Sequence, residues 1–107
     1  MDAQVRFYRD TLGLALKFPQ GLADYSGEFW VEFDTGGCSL VLHGGGHKRL
    51  GADTPKLAFA VDNIDAMRDL LQRRGVHMGE IRTPVPGTRV CDGVDPEGHP
   101  FSIDWHA

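Results

Sequence analysis

Several side chains in this sequence could bind a ligand or take part in a reaction, and two histidines are the first to consider. His43 and His47 are four positions apart, the spacing at which two imidazoles on one face of a helix can chelate a metal ion. The three glycines at residues 44–46 lie between them, and such a run disfavours a helix. The pair therefore indicates a solvated loop end more than a metal site.

A lysine, an aspartate, a cysteine and a tryptophan are the other candidates. Lys56 and Asp104 are expected to face each other, either as an ion pair that neutralises both charges or with Lys56 attracting an anionic ligand, and we expect the ion pair. Cys91 could be a nucleophile, but no histidine and aspartate partners are assignable to it, so a buried thiol is expected. Trp30 could stack on a planar ligand or simply cover a sheet, and both alternatives stay open.

These side chains must be positioned by helices and strands. Apolar residues at helical spacing predict a helix over residues 2–12 that ends at Gly13. Strand-forming residues at 29–34 and 38–43 flank a short turn and predict a hairpin. The glycine-rich and polar stretch at 44–55 is the longest predicted loop, and it divides the chain near its middle.

The second half of the chain repeats this order. Alternating residues 56–61 predict a strand, and Asp62 is the predicted N-cap of an amphipathic helix that ends at Gly75. Residues 88–91 and 101–105 flank a turn and predict another hairpin.

The two halves align as an internal repeat. Residues 1–3 match residues 64–66, and the glycines that end the two helices match within one position. The strand that precedes the second helix has no counterpart, since its equivalent would lie before Met1. We therefore expect a first βαβββ unit without its opening strand, in a natural chain that begins about fifteen residues earlier. A partner strand or a rearranged edge is the alternative.

Composition and charge argue against several classes of protein. The 107 residues include 11 Lys and Arg against 15 Asp and Glu, a net charge of −4, whereas nucleic-acid binding needs a basic face. No apolar stretch approaches the roughly 20 residues of a membrane span, and the first residues do not resemble a secretory signal. Cys38 and Cys91 form neither a CxxC pair nor a disulfide framework. We expect a cytoplasmic protein that binds neither nucleic acid nor membranes.

The repeated βαβββ order, with residues 7–13 (FYRDTLG) on the first helix, resembles the vicinal oxygen chelate superfamily. Its members include glyoxalase I, extradiol dioxygenases, and fosfomycin- and bleomycin-resistance proteins. Residues 57–65 and 95–101 look like the strand–helix start and the last hairpin of its second half. The resemblance covers essentially the whole chain. It implies an α+β fold in which paired βαβββ modules form a curved, mixed but mainly antiparallel sheet. It further implies a single domain over residues 1–107, with modules at 1–49 and 54–107.

The resemblance also bears on metal binding. Catalytic members hold a divalent ion with His, Gln or Glu side chains from the first and last strands of each half. One of these positions falls on the missing strand, and the other three fall on Val41, Lys56 and Ser102. A valine cannot bind an ion, an ammonium opposes one, and a serine hydroxyl is a poor substitute for a carboxylate. We expect no catalytic metal and no cofactor.

The resemblance implies, in addition, that a small molecule binds on the inner face of the curved sheet. Alternation along the strands separates the larger apolar residues, expected to pack against the helices, from the residues expected to face inward. The expected ligand-binding residues are Trp30, Glu32, Val41, His43, Lys56, Arg89, Cys91, Ser102 and Asp104.

The predicted function is the binding of a small organic molecule without the usual catalytic metal, in the manner of bleomycin-resistance proteins. One alternative is a metal-dependent lyase or dioxygenase with non-standard ligands such as Glu32, His43 or Asp104. Another is a dimeric interaction module without a ligand. Many members of the superfamily dimerise, and an uncovered strand edge favours association, so a homodimer is expected.

Overall fold

The computed structural model describes residues 1–44 and 55–107 of the chain. The chain divides into two compact units, Met1–Lys48 and Arg49–Ala107. In its described part, each unit contains one helical segment and one sheet. Most of the loop predicted at residues 44–55, including His47, lies outside the described residues.

The first unit begins with a helical segment. Helix α1 spans Asp2–Arg6, and the chain continues in a wider π-helical turn over Phe7–Thr11. Gly13 follows with a φ of 81°, in the left-handed region where glycine has no steric cost. The segment therefore ends at the predicted glycine, although its last turn is not α-helical.

The first sheet consists of three antiparallel strands in the order β1-β2-β3. They are β1 (Ala15–Phe18), β2 (Trp30–Asp34) and β3 (Ser39–His43). Val31 and Phe33 of β2 are fully buried, and the ring centroids of Phe33 and Tyr8 lie 6.2 Å apart. Val31 and Phe33 therefore mark the side of this sheet that packs against the helical segment. The predicted β2–β3 hairpin is confirmed, and β1 is an additional strand.

The segment that leads into β2 is anchored to the start of the chain. The backbone N–H of Tyr25 donates to Asp2 Oδ1 over 2.9 Å, and the Tyr25 hydroxyl donates to the carbonyl of Pro19 over 2.8 Å. Tyr25 is buried, with the guanidinium of Arg9 5.8 Å from its ring centroid. These contacts fix the point at which the chain enters β2.

The second unit contains a four-stranded mixed sheet in the order β4-β7-β6-β5, with helix α2 (Ile64–Arg73) between β4 and β5 in the chain. Its strands are β4 (Leu57–Ala60), β5 (Arg82–Val85), β6 (Thr88–Val94) and β7 (Pro100–His106). β4 pairs with β7 in parallel, and the other pairs are antiparallel. This arrangement is a complete βαβββ module.

Helix α2 is capped by Asn63, and the predicted cap at Asp62 is wrong. Asn63 has an extended backbone, and its side-chain oxygen accepts a hydrogen bond of 3.0 Å from the N–H of Ala66. The helix begins one residue later than predicted, so the capping role moves with it. It ends before Gly75, whose φ is 87°. Neither described helix is long and apolar enough to cross a bilayer.

Helix α2 packs on β6 and β7. On this side of the sheet, Cys91, Phe101 and Ile103 are fully buried. Gly93 pairs with Phe101, and a Cβ atom at Gly93 would lie only 2.6 Å from Met78 Sδ and 2.8 Å from Phe101 Cζ. The absence of a side chain at Gly93 is what allows the Phe101 ring to pack there.

Candidate functional site

In each sheet, alternate side chains point away from the helix-packed side, and we call this second side the far face. In the first sheet the cross-strand pairs place facing residues of β2 and β3 on the same side. The far-face pairs are Trp30 with His43, Glu32 with Val41, and Asp34 with Ser39. Trp30, Glu32, Val41 and His43, all predicted to bind a ligand, thus lie together on one surface.

Three rings form an aromatic cluster at one end of this far face, and we define the cluster as Phe29, Trp30 and His43. The centroids of the Phe29 and His43 rings lie 4.5 Å apart, and those of Trp30 and His43 lie 5.7 Å apart, both edge-to-face. Phe29 is 59% exposed and Trp30 is 44% exposed. Contacting aromatic side chains that remain this accessible are available to pack against a ligand.

Glu32 is held beside the aromatic cluster. The Trp30 indole N–H donates to Glu32 Oε1 over 2.8 Å, which fixes the carboxylate next to the ring. Phe18, 56% exposed, is the cross-strand partner of Glu32 and so lies on the same face. Phe18 and Phe29 were not among the predicted site residues. Phe29 stands next to Trp30 in sequence and would fall on the other side by alternation, and β1 has too short an apolar pattern to be recognised.

The far face of the second sheet carries an ion-pair cluster of Lys56, Arg82 and Asp92. Lys56 Nζ and Arg82 Nη2 each lie 2.9 Å from a different oxygen of Asp92. Partial burial by itself raises the pKa of Asp92, but the hydrogen bonds from Lys56 and Arg82 outweigh it and hold the pKa below its usual range. Asp92 and Arg82 were missed because neither stood in a recognised motif.

The predicted ion pair between Lys56 and Asp104 is wrong, because Lys56 pairs with Asp92. Asp104 is level with Ala60 in the β4–β7 pairing. Ala60 is four residues along from Lys56, roughly 13 Å at the rise of an extended strand. Asp92 pairs with Ser102, close to the end of the sheet where Lys56 lies.

Ser102 and Asp104 form a second polar contact on the far face of the second sheet. The Ser102 hydroxyl donates to Asp104 Oδ1 over 2.6 Å, and Ser102 is only 1% exposed. The two residues are separated by two positions on β7 and therefore share a face, as predicted. The hydroxyl has its proton committed to the carboxylate.

Arg89 and Cys91 do not lie with the other predicted site residues. Arg89 makes two hydrogen bonds, of 2.9 and 3.2 Å, to the carboxylate of Asp65 on α2. The Cys91 thiol is buried and donates to the carbonyl of Gly79, and burial raises its pKa. Both side chains are therefore on the helix-packed side. Their expected inward orientation is wrong, because the register of β6 places Val90 and Asp92 on the far face instead.

The side chains at the strand positions where the resemblance implies metal ligands do not fit a divalent ion. Val41 offers no lone pair, the ammonium of Lys56 is bound to Asp92, and the Ser102 hydroxyl donates to Asp104. Within residues 1–44 and 55–107, no three His, Cys, Asp or Glu side chains are grouped closely enough to hold a metal ion. Glu32 and His43 share a face, but two such groups alone make an incomplete ligand set.

A comparison of the sequence with protein-family models identifies its family. The model described as Glyoxalase/Bleomycin resistance protein/Dioxygenase superfamily matches residues 1–103. The chain belongs to this superfamily. The resemblance to vicinal oxygen chelate proteins is thereby confirmed, and so is the α+β fold class.

This chain covers most of the length of several solved structures that have the same fold. The chain is similar to TnmS3, an antibiotic-binding protein from Streptomyces sp. CB03234, with 26% identity, a TM-score of 0.68, and coverage of 98% of this chain and 85% of that one. It is also similar to a glyoxalase family protein from Enterococcus faecalis, with 19% identity, a TM-score of 0.74, and coverage of 100% of this chain and 88% of that one. A lactoylglutathione lyase from Agrobacterium tumefaciens has 19% identity and a TM-score of 0.73, with coverage of 97% of this chain and 84% of that one. The last two similarities concern the fold alone. A search of curated proteins found no match.

Proposed function

We propose that the protein binds a small planar organic molecule on the far face of its first sheet and does so without a catalytic metal. The observation that carries the proposal is the aromatic cluster. Phe29 and Trp30 expose about half of their surface while contacting His43 edge-on. Ligand sites typically combine aromatic and apolar walls with a few placed polar groups, and Glu32 supplies such a group.

Family membership and one relative support this proposal. The superfamily includes enzymes and resistance proteins, so the fold by itself is compatible with either. The similar Streptomyces protein TnmS3 is described as antibiotic-binding, which favours a binder of small organic molecules. The side chains of Val41, Lys56 and Ser102 favour a binder over a metal-dependent lyase or dioxygenase, because they provide no set of metal-binding atoms.

The proposed ligand contacts are provided by residues of the first sheet. Val41 provides an aliphatic surface between the aromatic cluster and the Asp34 end of the face. Lys56, Ser102 and Asp104 belong to the second unit, and that they bind a ligand stays a prediction; each is already hydrogen-bonded within the protein. Arg89 and Cys91 are left out of the proposed site because they face α2.

The proposal is tested by an NMR titration of the ¹⁵N-labelled full chain with three bicyclic aromatic probes: 1-methylquinolinium, 4-methylquinoline and 1-naphthoate. At least one probe should shift the amides of residues 29–32 and 41–43. Trp30→Ala should weaken that binding about ten-fold or more, since stacking on one aromatic ring contributes on the order of 1–3 kcal/mol.

Val85→Ala is the matched control, because Val85 is a comparably exposed apolar residue (55%) on β5 of the other sheet. This variant should leave probe binding unchanged. If no probe shifts these amides, or if Trp30→Ala and Val85→Ala bind alike, the proposed site is wrong.

A dimeric assembly is a second proposal, supported by one specific observation. Among the described residues, β3 is hydrogen-bonded to β2 alone, whereas β7, in the corresponding place of the second sheet, is bonded to both β4 and β6. An open strand edge can pair with another chain. Sedimentation velocity should show a concentration-dependent dimer, and a monomer at the highest concentrations would rule it out. A cytoplasmic location likewise remains a proposal, based on cysteine usage.

A further inference from the structure

The geometry points to a positively charged ligand: we infer that the molecule bound at the aromatic cluster is a planar cation whose charged nitrogen lies beside Glu32. This inference rests on the proposed function, since it names the class of ligand for that same site. Two independent features of the first unit carry it, the charge balance around Glu32 and the arrangement of the rings.

The negative charge of Glu32 is not balanced by a cation in the described part of the first unit. Its described interaction is the hydrogen bond from the Trp30 indole, a neutral donor. In the described contacts, none of the three lysine and arginine side chains of residues 1–44 is paired with Glu32. Arg6 pairs with Asp2, Arg9 with Asp10, and Lys17 donates to Ser39.

The net charge of residues 1–44 is also negative. Residues 1–44 contain three Lys and Arg side chains against six Asp and Glu side chains. The local field therefore favours a cation over an anion, although exposure to water and salt weakens the effect. A cationic ligand would supply the Glu32 carboxylate with the positively charged partner that it lacks among the described residues.

The aromatic rings provide the second feature. The faces of indole and phenyl rings carry negative potential and attract cations that lie within about 6 Å of the ring centre. Trp30 holds the Glu32 carboxylate at its own edge. A planar cation stacked on the cluster would therefore meet a ring face and a carboxylate together, whereas a neutral planar molecule would gain only the stacking.

The other carboxylates with described contacts on the far faces are Asp34, Asp92 and Asp104, and they do not share this combination. Asp104 accepts from the Ser102 hydroxyl, and its cross-strand partner is Val90. Asp34 accepts a hydrogen bond from the backbone N–H of Gly36 within the β2–β3 turn. The hydroxyl of its cross-strand partner Ser39 accepts a hydrogen bond from the ammonium of Lys17. Asp92 is already bound by two cations. Glu32 is thus the carboxylate that is placed beside aromatic rings and left without a described cation partner.

The test compares planar bicyclic probes of different charge by isothermal titration calorimetry at about pH 8 and low salt. 1-Methylquinolinium and 4-methylquinoline have the same outline, but only the first is charged under these conditions, and 1-naphthoate is the anionic counterpart. We expect the cation to bind about five-fold more tightly than the neutral isostere, the size of one partly exposed ion pair. The anion should bind most weakly, and added salt should reduce the preference.

Two variants test whether Glu32 causes the preference for the cationic probe. Glu32→Gln keeps an acceptor for the Trp30 indole but removes the charge, so most of the preference for the cation should be lost and only the part due to the ring faces should remain. Asp34→Asn is the control: it removes a carboxylate from the same face, can still accept from Gly36, and should keep most of the preference.

The outcomes separate this inference from the proposed function. If all three probes bind equally and Trp30→Ala weakens each of them, the site stands and the inferred ligand class is wrong. If the preference for the cation is undiminished in Glu32→Gln, or if the anion binds most tightly, the role of Glu32 is wrong. If no probe binds at the cluster, the proposed function itself fails.

Discussion

The far faces of the two sheets differ in chemistry although the β2–β3 and β6–β7 hairpins are paired in the same register. The pair Trp30–His43 in the first sheet takes the place of Val90–Asp104 in the second, and Glu32–Val41 takes the place of Asp92–Ser102. In the second sheet the polar groups satisfy one another through ion pairs and a serine–aspartate bond. In the first sheet they leave aromatic rings exposed and the half-buried carboxylate of Glu32 without a described cation partner. The repeat therefore determines where side chains stand, and their identities decide which surface can receive a ligand.

The helix-packed sides show a complementary difference. The pair Phe33–Leu40 in the first sheet corresponds to Gly93–Phe101 in the second, so the aromatic ring comes from opposite strands of the hairpin. Both rings are fully buried. Each hairpin thus places one phenylalanine ring in the core of its unit, and in the second unit this requires a glycine opposite the ring.

The largest expected effect sets a core ring against a far-face ring. Phe101→Ala should lower the free energy of unfolding by about 3–5 kcal/mol, because it leaves a cavity at a fully buried position. Trp30→Ala should cost less than about 1 kcal/mol, because its side chain is 44% exposed. Urea denaturation of both variants measures the two values. Equal losses would mean that the Trp30 ring is a structural element and would weaken its assignment to a ligand site.

A moderate effect is expected at the glycine opposite Phe101. Gly93→Ala should destabilise the protein by about 1–3 kcal/mol, since the new Cβ would overlap Met78 and the Phe101 ring. Gly37→Ala is the control in the first hairpin, where a Cβ meets nothing within 4 Å and φ is not in the left-handed region. Thermal unfolding should separate the two variants clearly. A harmless Gly93→Ala would show that the ring has room to move.

The smallest expected effect concerns the ion-pair cluster. The pKa of Asp92 in the folded protein is lowered, so its ion pairs stabilise the fold above the unfolded pKa of about 3.9, and this contribution is lost as the pH falls through the folded value. Asp92→Asn should therefore cost about 0.5–1 kcal/mol near neutral pH and almost nothing near pH 2. Melting temperatures measured across this range test the prediction. Asp69→Asn, which removes a carboxylate from an exposed pair with Arg73, controls for loss of a surface charge.

Much of the fold could be predicted from the sequence because its signals are local. Alternation in residues 29–34 and 56–61 indicates strands, and the glycines at the helix ends indicate turns that need a left-handed residue. The internal repeat then supplies the topology without any long-range information. The resemblance to the superfamily depends on these same residues, and the family comparison confirms it.

The candidate site could be predicted only in part because partners across strands depend on register. Trp30, Glu32, Val41 and His43 follow from alternation within two regular strands. The prediction for Arg89 and Cys91 is wrong because the sequence does not locate the start of β6, and an error of one residue reverses the face of every side chain.

The remaining errors have the same local origin. The sequence predicts a pair between Lys56 and Asp104 because it shows which residues share a face but not which are level with each other. The sequence does not distinguish Asp62 from Asn63 as the cap of α2, because neighbouring Asp and Asn residues are almost equally good caps.

The two cysteines have a practical consequence. Cys38 is exposed in the turn between β2 and β3, whereas Cys91 is buried beneath α2 and its thiol has a raised pKa. A maleimide dye will therefore couple selectively to Cys38, next to Ser39 on the surface proposed to receive the ligand. The unmodified chain thus already contains an attachment point for an optical sensor of its own occupancy.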